Sequence, residues 1–335
     1  RVGIIGCGLI GRRRATVVGE SAGDKLVIVA DVVRSHAEQV ARENGCLMTT
    51  DWREVVSRDD LDAIIVSTTN DWLAPISIAA ARNGKHVLCE KPLARNPEES
   101  WQVVEAARAS KVTLKTGFNH RHHAAIWKAY ELSDQGAIGE IYHIRCHYGH
   151  GGRPGYDREW RTNPEISGGG ELLDQGIHAL DLFRWFLGDF EKAVGFTTTS
   201  FWKTHVEDNA FALLRTNKGQ VASLHASWTQ WKNLFSFEIF GRDGYLIVQG
   251  LGGSYGLERL VWGKRLPESG PPEEKCFDFP GPDLSWEEEW REFVTAIRED
   301  RKPLGSGYDG WQALRLAYAI YESAATGCVV KLTSA

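Results

Sequence analysis

The sequence predicts an α/β fold in two parts: a doubly wound parallel sheet, then an α+β domain with a large, mainly antiparallel open sheet. Over residues 1–117, short apolar runs alternate with helical periodicities, and this alternation requires crossover connections between parallel strands. Over residues 193–262, strand patterns follow one another with only turn signals between them, which is typical of antiparallel pairing. A length of 335 residues also favours two domains, which we place at 1–119 and 120–335.

The first part contains five predicted strands separated by four predicted helices. The strands are Val2–Ile5, Lys25–Ala30, Ala63–Val66, His86–Cys89 and Thr113–Thr116. The helices are Leu9–Gly19, Ser35–Asn44, Trp72–Asn83 and Pro97–Ser110. The last of them begins with a proline, which the first turn of a helix tolerates.

The second part has a different order of predicted elements. It begins with the helix Ala124–Gln135, the strand Glu140–His147, a glycine- and arginine-rich loop over 149–167 and the helix Glu171–Leu187. The strands that follow include Phe211–Arg215, Gln220–Trp228, Phe235–Phe240 and Tyr245–Val248. The stretch 267–282 is predicted to be a surface excursion, and Trp286–Glu299 and Gly310–Thr326 are predicted closing helices.

Composition excludes several classes of protein. With 39 basic and 44 acidic residues the net charge is −5, whereas proteins that grip a phosphate backbone are usually strongly basic. We therefore expect no nucleic-acid partner. No apolar run approaches the length of a bilayer span, so no membrane partner is expected either. The six cysteines show no Cys-x-x-Cys spacing, which favours free thiols and a cytoplasmic location.

A glycine-rich turn follows the first predicted strand and opens the first helix. It contains Gly6, Gly8, Leu9, Ile10 and Gly11. In a dinucleotide-binding turn the first glycine permits the tight bend, the second lets the backbone approach a pyrophosphate, and the third lets helix pack on strand. The N–H groups at the helix N-terminus then face the anion. This context predicts a dinucleotide cofactor.

The end of the second strand indicates which cofactor is bound. Asp31, followed by Val32, is placed to accept hydrogen bonds from ribose hydroxyls and to repel a 2′-phosphate, which favours NAD. Arg34 and the run Arg12–Arg14 leave NADP possible, since guanidinium groups bind a 2′-phosphate.

Two further clusters carry residues suited to catalysis. Thr68 and Asn70 follow one strand, and Glu90-Lys91-Pro92 ends the next, at the strand ends where open α/β sheets bind ligands. Lys91 is there a candidate fixed ammonium. In the second part, Asp174, His178 and Asp181 stand at offsets of zero, four and seven in an otherwise apolar predicted helix. Their spacing allows either a buried structural network or a general base, His178, beside a carboxylate.

Together these motifs resemble the Gfo/Idh/MocA oxidoreductases, the family of glucose–fructose oxidoreductase and inositol dehydrogenase. The resemblance covers the glycine turn, Asn70, Glu90-Lys91-Pro92, Gly117-Phe118-Asn119, and the Asp174, His178, Asp181 series followed by Arg184-Trp185. It implies an N-terminal Rossmann domain and a C-terminal domain whose open sheet is often buried in oligomer contacts. Lys91, Asp174 and His178 match the family's catalytic positions. The residues predicted to contact the cofactor at these motifs are Thr68, Asn70, Glu90, Lys91 and Asn119.

The sequence departs from the usual family pattern in four places. Leu73 and Arg14 each stand where a histidine is common, and Thr69 replaces a common proline. His120 replaces a common arginine and begins the run His120-Arg121-His122-His123. No cysteine or acidic spacing completes a zinc site around these histidines, and hydride transfer needs no metal, so no metal is predicted.

These residues predict an NAD-dependent dehydrogenase that oxidises a secondary alcohol of a cyclic polyol or sugar. Substrate contacts are expected from Lys91, Asp174, His178 and the loop residues Arg153, Tyr156, Trp160 and Arg161. The alternatives are a reductase of nucleotide-linked or acidic ketosugars, an NAD-dependent glycoside-modifying enzyme and a non-catalytic regulator. A homodimer or homotetramer is expected through the open sheet face, where exposed aromatics are predicted at Phe201, Trp202, Trp228, Trp231 and Phe235.

Overall fold

A computed structural model describes residues 1–332, which form two compact units. The first unit comprises Arg1–Phe118, Glu165–Gly168 and Trp286–Leu314, and the second comprises Asn119–Pro164, Gly169–Ser285 and the residues from 315 onward. The segment 286–314 therefore does not belong with 120–285, where the predicted domain boundaries put it. Its helix buries Trp290 and Phe293 in the core of the first unit, and this apolar burial overrides chain order.

The first unit contains a six-stranded parallel sheet in the order β3-β2-β1-β4-β5-β6. Its strands are β1 (Val2–Ile5), β2 (Leu26–Ala30), β3 (Leu47–Thr49), β4 (Ala63–Val66), β5 (His86–Glu90) and β6 (Leu114–Gly117). Its helices are α1 (Leu9–Glu20), α2 (Arg34–Asn44), α3 (Trp52–Val56), α4 (Asn70–Arg82) and α5 (Pro97–Ser110). The predicted doubly wound sheet is confirmed, and the sequence prediction missed only the short β3 and α3 in this stretch.

The second unit contains a nine-stranded sheet in the order β14-β13-β12-β11-β7-β10-β9-β8-β15. The elements after β6 are α6 (Ala124–Asp134), β7 (Ile141–Gly149), α7 (Pro164–Ser167), α8 (Ile177–Leu187), β8 (Phe190–Thr198), β9 (Asn209–Thr216), β10 (Val221–Ser227), β11 (Leu234–Gly241), β12 (Gly244–Gln249), β13 (Glu258–Lys264), β14 (Glu273–Phe279), α9 (Ser285–Arg298), α10 (Gly307–Thr326) and β15 (Val330–Lys331). Only β7 and β10 pair in parallel among the described strands of this sheet, so the predicted mainly antiparallel sheet is confirmed.

The structure corrects three predictions within the second unit. The helix predicted over 171–187 is broken into a π-helical turn over Leu172–Gly176 followed by α8. The predicted surface excursion contains the edge strand β14. Two aromatics that were predicted to be exposed, Trp228 and Phe235, are buried, because Trp228 packs with Tyr156 and Val206 and Phe235 packs against Tyr148. The side chains of Phe196, Phe211 and Leu213 are exposed instead. None of the described helices combines the length and the apolarity needed to cross a bilayer.

A buried ion cluster joins four elements of the first unit, α1, β5, β6 and α9. The Arg14 guanidinium is 1% exposed and donates through Nε and NH2 to one carboxylate oxygen of Glu90, at 2.9 and 2.6 Å. Its NH2 also lies 2.6 Å from Glu289 of α9, and Lys115 of β6 lies 3.8 Å from the same glutamate. Two cations therefore balance two buried carboxylates. The lack of a side chain at Gly117 provides the space for the Glu90 carboxylate, since a Cβ there would stand 2.7 Å from Glu90.

Glu289→Gln should destabilise the protein by about 3–5 kcal/mol, because it leaves the two buried cations, Arg14 and Lys115, with only the Glu90 carboxylate to balance them. The matched control is Glu288→Gln on the same helix, whose partner Arg291 is exposed; this change should cost about 0–1 kcal/mol. Urea unfolding of the two variants provides the comparison. Equal midpoints would show that the cluster contributes nothing to stability.

Candidate active site

The glycine turn of the first unit has the backbone geometry of an anion-binding site. Gly6 has φ +95°, and a Cβ there would stand 2.3 Å from the Ser67 carbonyl oxygen. A Cβ on Gly11 would overlap the Gly6 carbonyl at 1.8 Å, whereas nothing lies within 4 Å of one on Gly8. No side chain caps α1 at Gly8, so the first N–H groups of the helix are left for a ligand. The turn therefore fits a pyrophosphate.

Asp31 is tied to this turn by backbone hydrogen bonds. Its two carboxylate oxygens accept from the N–H groups of Cys7 and Val33, at 2.7 and 2.8 Å. Burial, and then the nearby Asp31 charge, raises the pKa of the Cys7 thiol to about 12, so the thiol adds no negative charge beside a pyrophosphate. Val32 is exposed at the same strand end. The carboxylate is thus held at the position where a ribose is bound in dinucleotide folds.

Most of the arginines that could bind the 2′-phosphate of NADP have other contacts within the first unit. Arg14 belongs to the buried ion cluster and cannot reach a surface phosphate. The Arg13 guanidinium lies over the Trp286 ring at 5.0 Å. Arg34 is exposed and pairs with Glu38, one helical turn away. These contacts favour the interpretation of Asp31 as an NAD-selecting residue.

The remaining predicted cofactor residues have structural partners. Leu9 is exposed at the start of α1, and Ile10 packs against the core of the first unit. The Asn70 side chain, at the start of α4, donates to the Ser167 carbonyl at 2.8 Å, and the Thr68 hydroxyl donates to the Thr69 carbonyl. The Glu90 carboxylate, predicted to contact the cofactor, is used in the ion pair with Arg14. Lys91 follows directly at the end of β5.

In the second unit, the turn that carries Asp174 is fixed by a buried glutamate. The Glu207 carboxylate accepts from the N–H groups of Gly170 and Leu172, both at 3.0 Å, and from the Tyr321 hydroxyl at 2.7 Å. A Cβ on Gly170 would stand 2.1 Å from the Glu207 carbonyl, so only glycine permits this approach. The π-helical turn begins from this anchor and presents the Asp174 carboxylate.

The predicted substrate loop converges on Asp174. The buried Tyr156 donates its hydroxyl to Asp174 at 3.2 Å, and the Arg161 Nε lies 3.4 Å from the same oxygen. Burial alone lowers the pKa of Arg161, but the charge of Asp174 and the other acidic neighbours raise it above its ordinary value. Arg153 and Arg161 also pair with opposite oxygens of Glu159, at 2.6 and 3.1 Å. Both guanidinium groups are therefore neutralised locally.

Trp160, the remaining predicted substrate residue, lies beneath the Arg161 guanidinium, with the cation 4.7 Å from the ring centre. This cation–π contact adds to the ion pairs that Arg161 makes with Glu159 and Asp174. The structure therefore brings together the four predicted loop residues and Asp174.

Two residues that the sequence analysis did not single out, His150 and Glu171, also face Asp174. Potential ligand atoms of these three residues lie within 4.8 Å of one another, which is close enough for a divalent cation. The Gly152 N–H donates to His150 Nδ1 at 2.8 Å, however, so the neutral ring carries its proton on Nε2 and has no lone pair for a metal. Burial lowers the pKa of His150, which maintains this neutral donor. The set suits hydroxyl recognition better than metal binding.

His178 is buried and stacked on a second histidine. Its ring lies parallel to that of His120, with centroids 3.7 Å apart and planes 16° from parallel. His120 Nε2 is 2.9 Å from the Tyr148 hydroxyl, and its Nδ1 is 3.2 Å from Asn119 Oδ1. Asn119 donates to Ser285, so its oxygen faces His120 and the proton of the neutral ring lies on Nδ1. Burial raises the pKa of Tyr148 well above its usual range, leaving a protonated phenol that donates to Nε2.

The histidine-rich run 120–123 thus has structural partners within the second unit. Arg121 makes a two-pronged ion pair with Asp181, at 2.5 and 2.7 Å, and His123 lies 3.1 Å from Glu258. Asp181, predicted to share a polar stripe with Asp174, is instead a structural partner of Arg121. Asn119, predicted to contact the cofactor, is engaged by His120 and Ser285. The chain order gave no signal for these pairings, because the partners lie 60 to 166 residues away.

Fold and site together define a dinucleotide-binding oxidoreductase with a separate unit that carries acid–base groups. Comparison with known proteins agrees with this class. Residues 1–118 match the model of the oxidoreductase family with the NAD-binding Rossmann fold, and residues 126–247 match the GFO/IDH/MocA C-terminal domain. The chain belongs to the GFO/IDH/MocA oxidoreductase family, as the sequence motifs predicted, and its first unit is an NAD-binding Rossmann domain.

Several of the matched relatives align over nearly the whole chain. The 1,5-anhydro-D-fructose reductase of Ensifer adhaerens is 31% identical over 330 residues, 98% of this chain and 97% of the relative. The inositol 2-dehydrogenase of Rhizobium meliloti (strain 1021) is 29% identical over 338 residues, covering 97% of each. Among solved structures, levoglucosan dehydrogenase in complex with NADH and levoglucosan superposes with a TM-score of 0.89 at 26% identity, covering 99% of each chain.

Proposed function

We propose that this protein is an NAD-dependent dehydrogenase that oxidises a secondary alcohol of a neutral cyclic sugar or polyol. The observation that carries the proposal is the charge balance around Asp174. Two guanidinium groups, of Arg153 and Arg161, face the carboxylates of Glu159, Asp174 and Glu171. No excess positive charge is left for a phosphate or a carboxylate on the substrate, whereas hydroxyl groups find both donors and acceptors there.

Three residues are assigned to the reaction. The glycine turn and Asp31 would hold NAD⁺, which would supply the hydride acceptor for the alcohol carbon. His178, as a neutral imidazole, removes the hydroxyl proton, and its stacking on His120 fixes the plane of the ring. Lys91 donates a hydrogen bond to the oxygen that loses this proton and stabilises its developing negative charge. Asp174, held by Tyr156 and Arg161, binds a neighbouring hydroxyl. The relatives named for inositol, levoglucosan and anhydrofructose support a cyclic polyhydroxylated substrate.

Assembly through the open sheet face remains part of this proposal. The apolar side chains of Phe196, Phe211 and Leu213 are exposed on one side of β8 and β9. Exposed apolar patches on a sheet are commonly covered by a second subunit. We therefore propose a homo-oligomer, a dimer or a tetramer, and a cytoplasmic location consistent with six free cysteines among the described residues.

The substrate class is tested by NADH formation with a panel of matched sugars. We expect neutral inositols, anhydrosugars and aldoses to exceed the corresponding uronates and sugar phosphates in kcat/KM by at least about tenfold, because an added anion meets three carboxylates. A preference for the uronate or the nucleotide sugar would contradict the proposal and favour the acidic-ketosugar alternative. Product formation without any net NADH would favour the glycoside-modifying alternative.

Cofactor choice is tested at Asp31. Asp31→Asn should weaken NAD binding by roughly tenfold to a hundredfold, since hydrogen bonds to a charged group contribute about 1.5–3 kcal/mol, and should leave NADP binding less affected. The same change at the exposed Asp59 is the control. Calorimetric titration of each variant with both cofactors measures the ratio. A wild-type preference for NADP would show that Asp31 does not select the cofactor.

A further inference from the structure

An exposed aromatic surface lies beside the substrate loop of the second unit. It is formed by Phe201, Trp202 and Trp231, and we refer to it as the aromatic platform. Phe201 and Trp231 are 58% and 62% exposed. The Phe201 ring stands edge-on to both tryptophans, with centroid distances of 5.2 Å to Trp202 and 4.7 Å to Trp231. Such rings combine a flat apolar face with a polar edge, which suits the C–H face of a pyranose.

The backbone at Trp231 adopts an unusual conformation. Its φ is +57°, a left-handed conformation that is a genuine outlier for a bulky residue. Such strained backbone conformations concentrate at functional sites. A glycine would adopt this φ without cost, so stability alone does not explain a tryptophan whose ring faces outward.

Two chains of contacts connect the aromatic platform to Asp174. On one side, the Trp202 ring lies 5.7 Å from the Tyr156 ring, and the Tyr156 hydroxyl donates to Asp174. On the other, the Gln230 N–H, next to Trp231, donates to the carbonyl of His150, whose imidazole faces Asp174.

The glycine segment of the loop packs directly on the two tryptophans. A Cβ on Gly152 would stand 2.5 Å from the Trp202 ring, and one on Gly151 would stand 3.1 Å from the Trp231 backbone. The absence of side chains at these glycines thus lets the aromatic platform stand close to the groups around Asp174.

We propose that the aromatic platform is a second carbohydrate subsite, so that the substrate is a glycoside or disaccharide with one ring at Asp174 and the next stacked on Trp231. This inference rests on the proposed function for the ring that reacts. The second ring needs no charge of its own, because the rings of Phe201 and Trp231 bind through C–H contacts and dispersion.

The test compares a free aldose with its methyl glycoside and a disaccharide of the same sugar. Trp231→Gly is the main variant, because it removes the indole and also relieves the positive φ, so it should fold. Trp127→Ala, which removes an exposed tryptophan on α6, is the control. In Trp231→Gly the ratio of the disaccharide KM to the aldose KM should rise about tenfold. In Trp127→Ala this ratio should stay at the wild-type value.

Three results would overturn the proposal, and one readout separates it from the failure of the proposed function. The first is an unchanged KM ratio in Trp231→Gly, and the second is a wild-type enzyme that prefers the free aldose. The third is dissociation of an oligomer in Trp231→Gly, measured by light scattering, because the aromatic platform would then be a contact between copies of the chain. Calorimetric binding of the disaccharide without cofactor needs no turnover. Binding that Trp231→Gly weakens would support the subsite even if no NADH formed with any sugar.

Discussion

The first unit depends on one buried cation. Arg14 on the first helix neutralises Glu90 at the end of β5 and Glu289 on α9, and the Trp286 ring covers its guanidinium at 4.5 Å. A guanidinium serves here because its planar fork reaches two carboxylates at once, which a point-like ammonium does less well. Since Glu90 directly precedes Lys91, the same cation fixes the strand end that carries the candidate catalytic lysine. The segment 286–314 is held to the Rossmann sheet by this cluster as well as by its apolar helix face.

In the second unit the charges that need compensation are carboxylates. Its carboxylates at Asp174, Glu171 and Glu159 are gathered where a substrate is expected, and Arg153, Arg161, His150 and Tyr156 compensate them with donors. The result is a polar surface without surplus positive charge, rich in groups that both donate and accept hydrogen bonds. Such a surface distinguishes one hydroxyl pattern from another, because an unmatched buried polar group is costly.

The sequence predicted features that depend on local pattern and missed those that depend on distant partners. Strand and helix periodicity located the parallel sheet, and the glycine spacing located the dinucleotide turn. The π-helical turn at Asp174 was missed because a shift in hydrogen-bond register leaves no trace in apolar spacing. Trp228 was predicted to be exposed because the sequence does not show that it packs with Tyr156 and Val206. His150 stands 24 residues before Asp174 in the chain, and only the fold brings it there, whereas Glu171 is three residues from Asp174 and was overlooked.

The central claim is that His178 is the base, and single-turnover hydride transfer measured against pH with saturating NAD tests it most directly. His178→Ala should bind NAD normally, lose on the order of 10²–10⁴ in rate, and lose the fall in rate at low pH, because a protonated imidazole cannot accept the proton. Lys91→Ala should lose a similar order of rate while it keeps the acidic limb, and the exposed His205→Ala should change neither. A wild-type rate and an unchanged pH profile in His178→Ala would contradict the account and make Asp174 the leading candidate for the base.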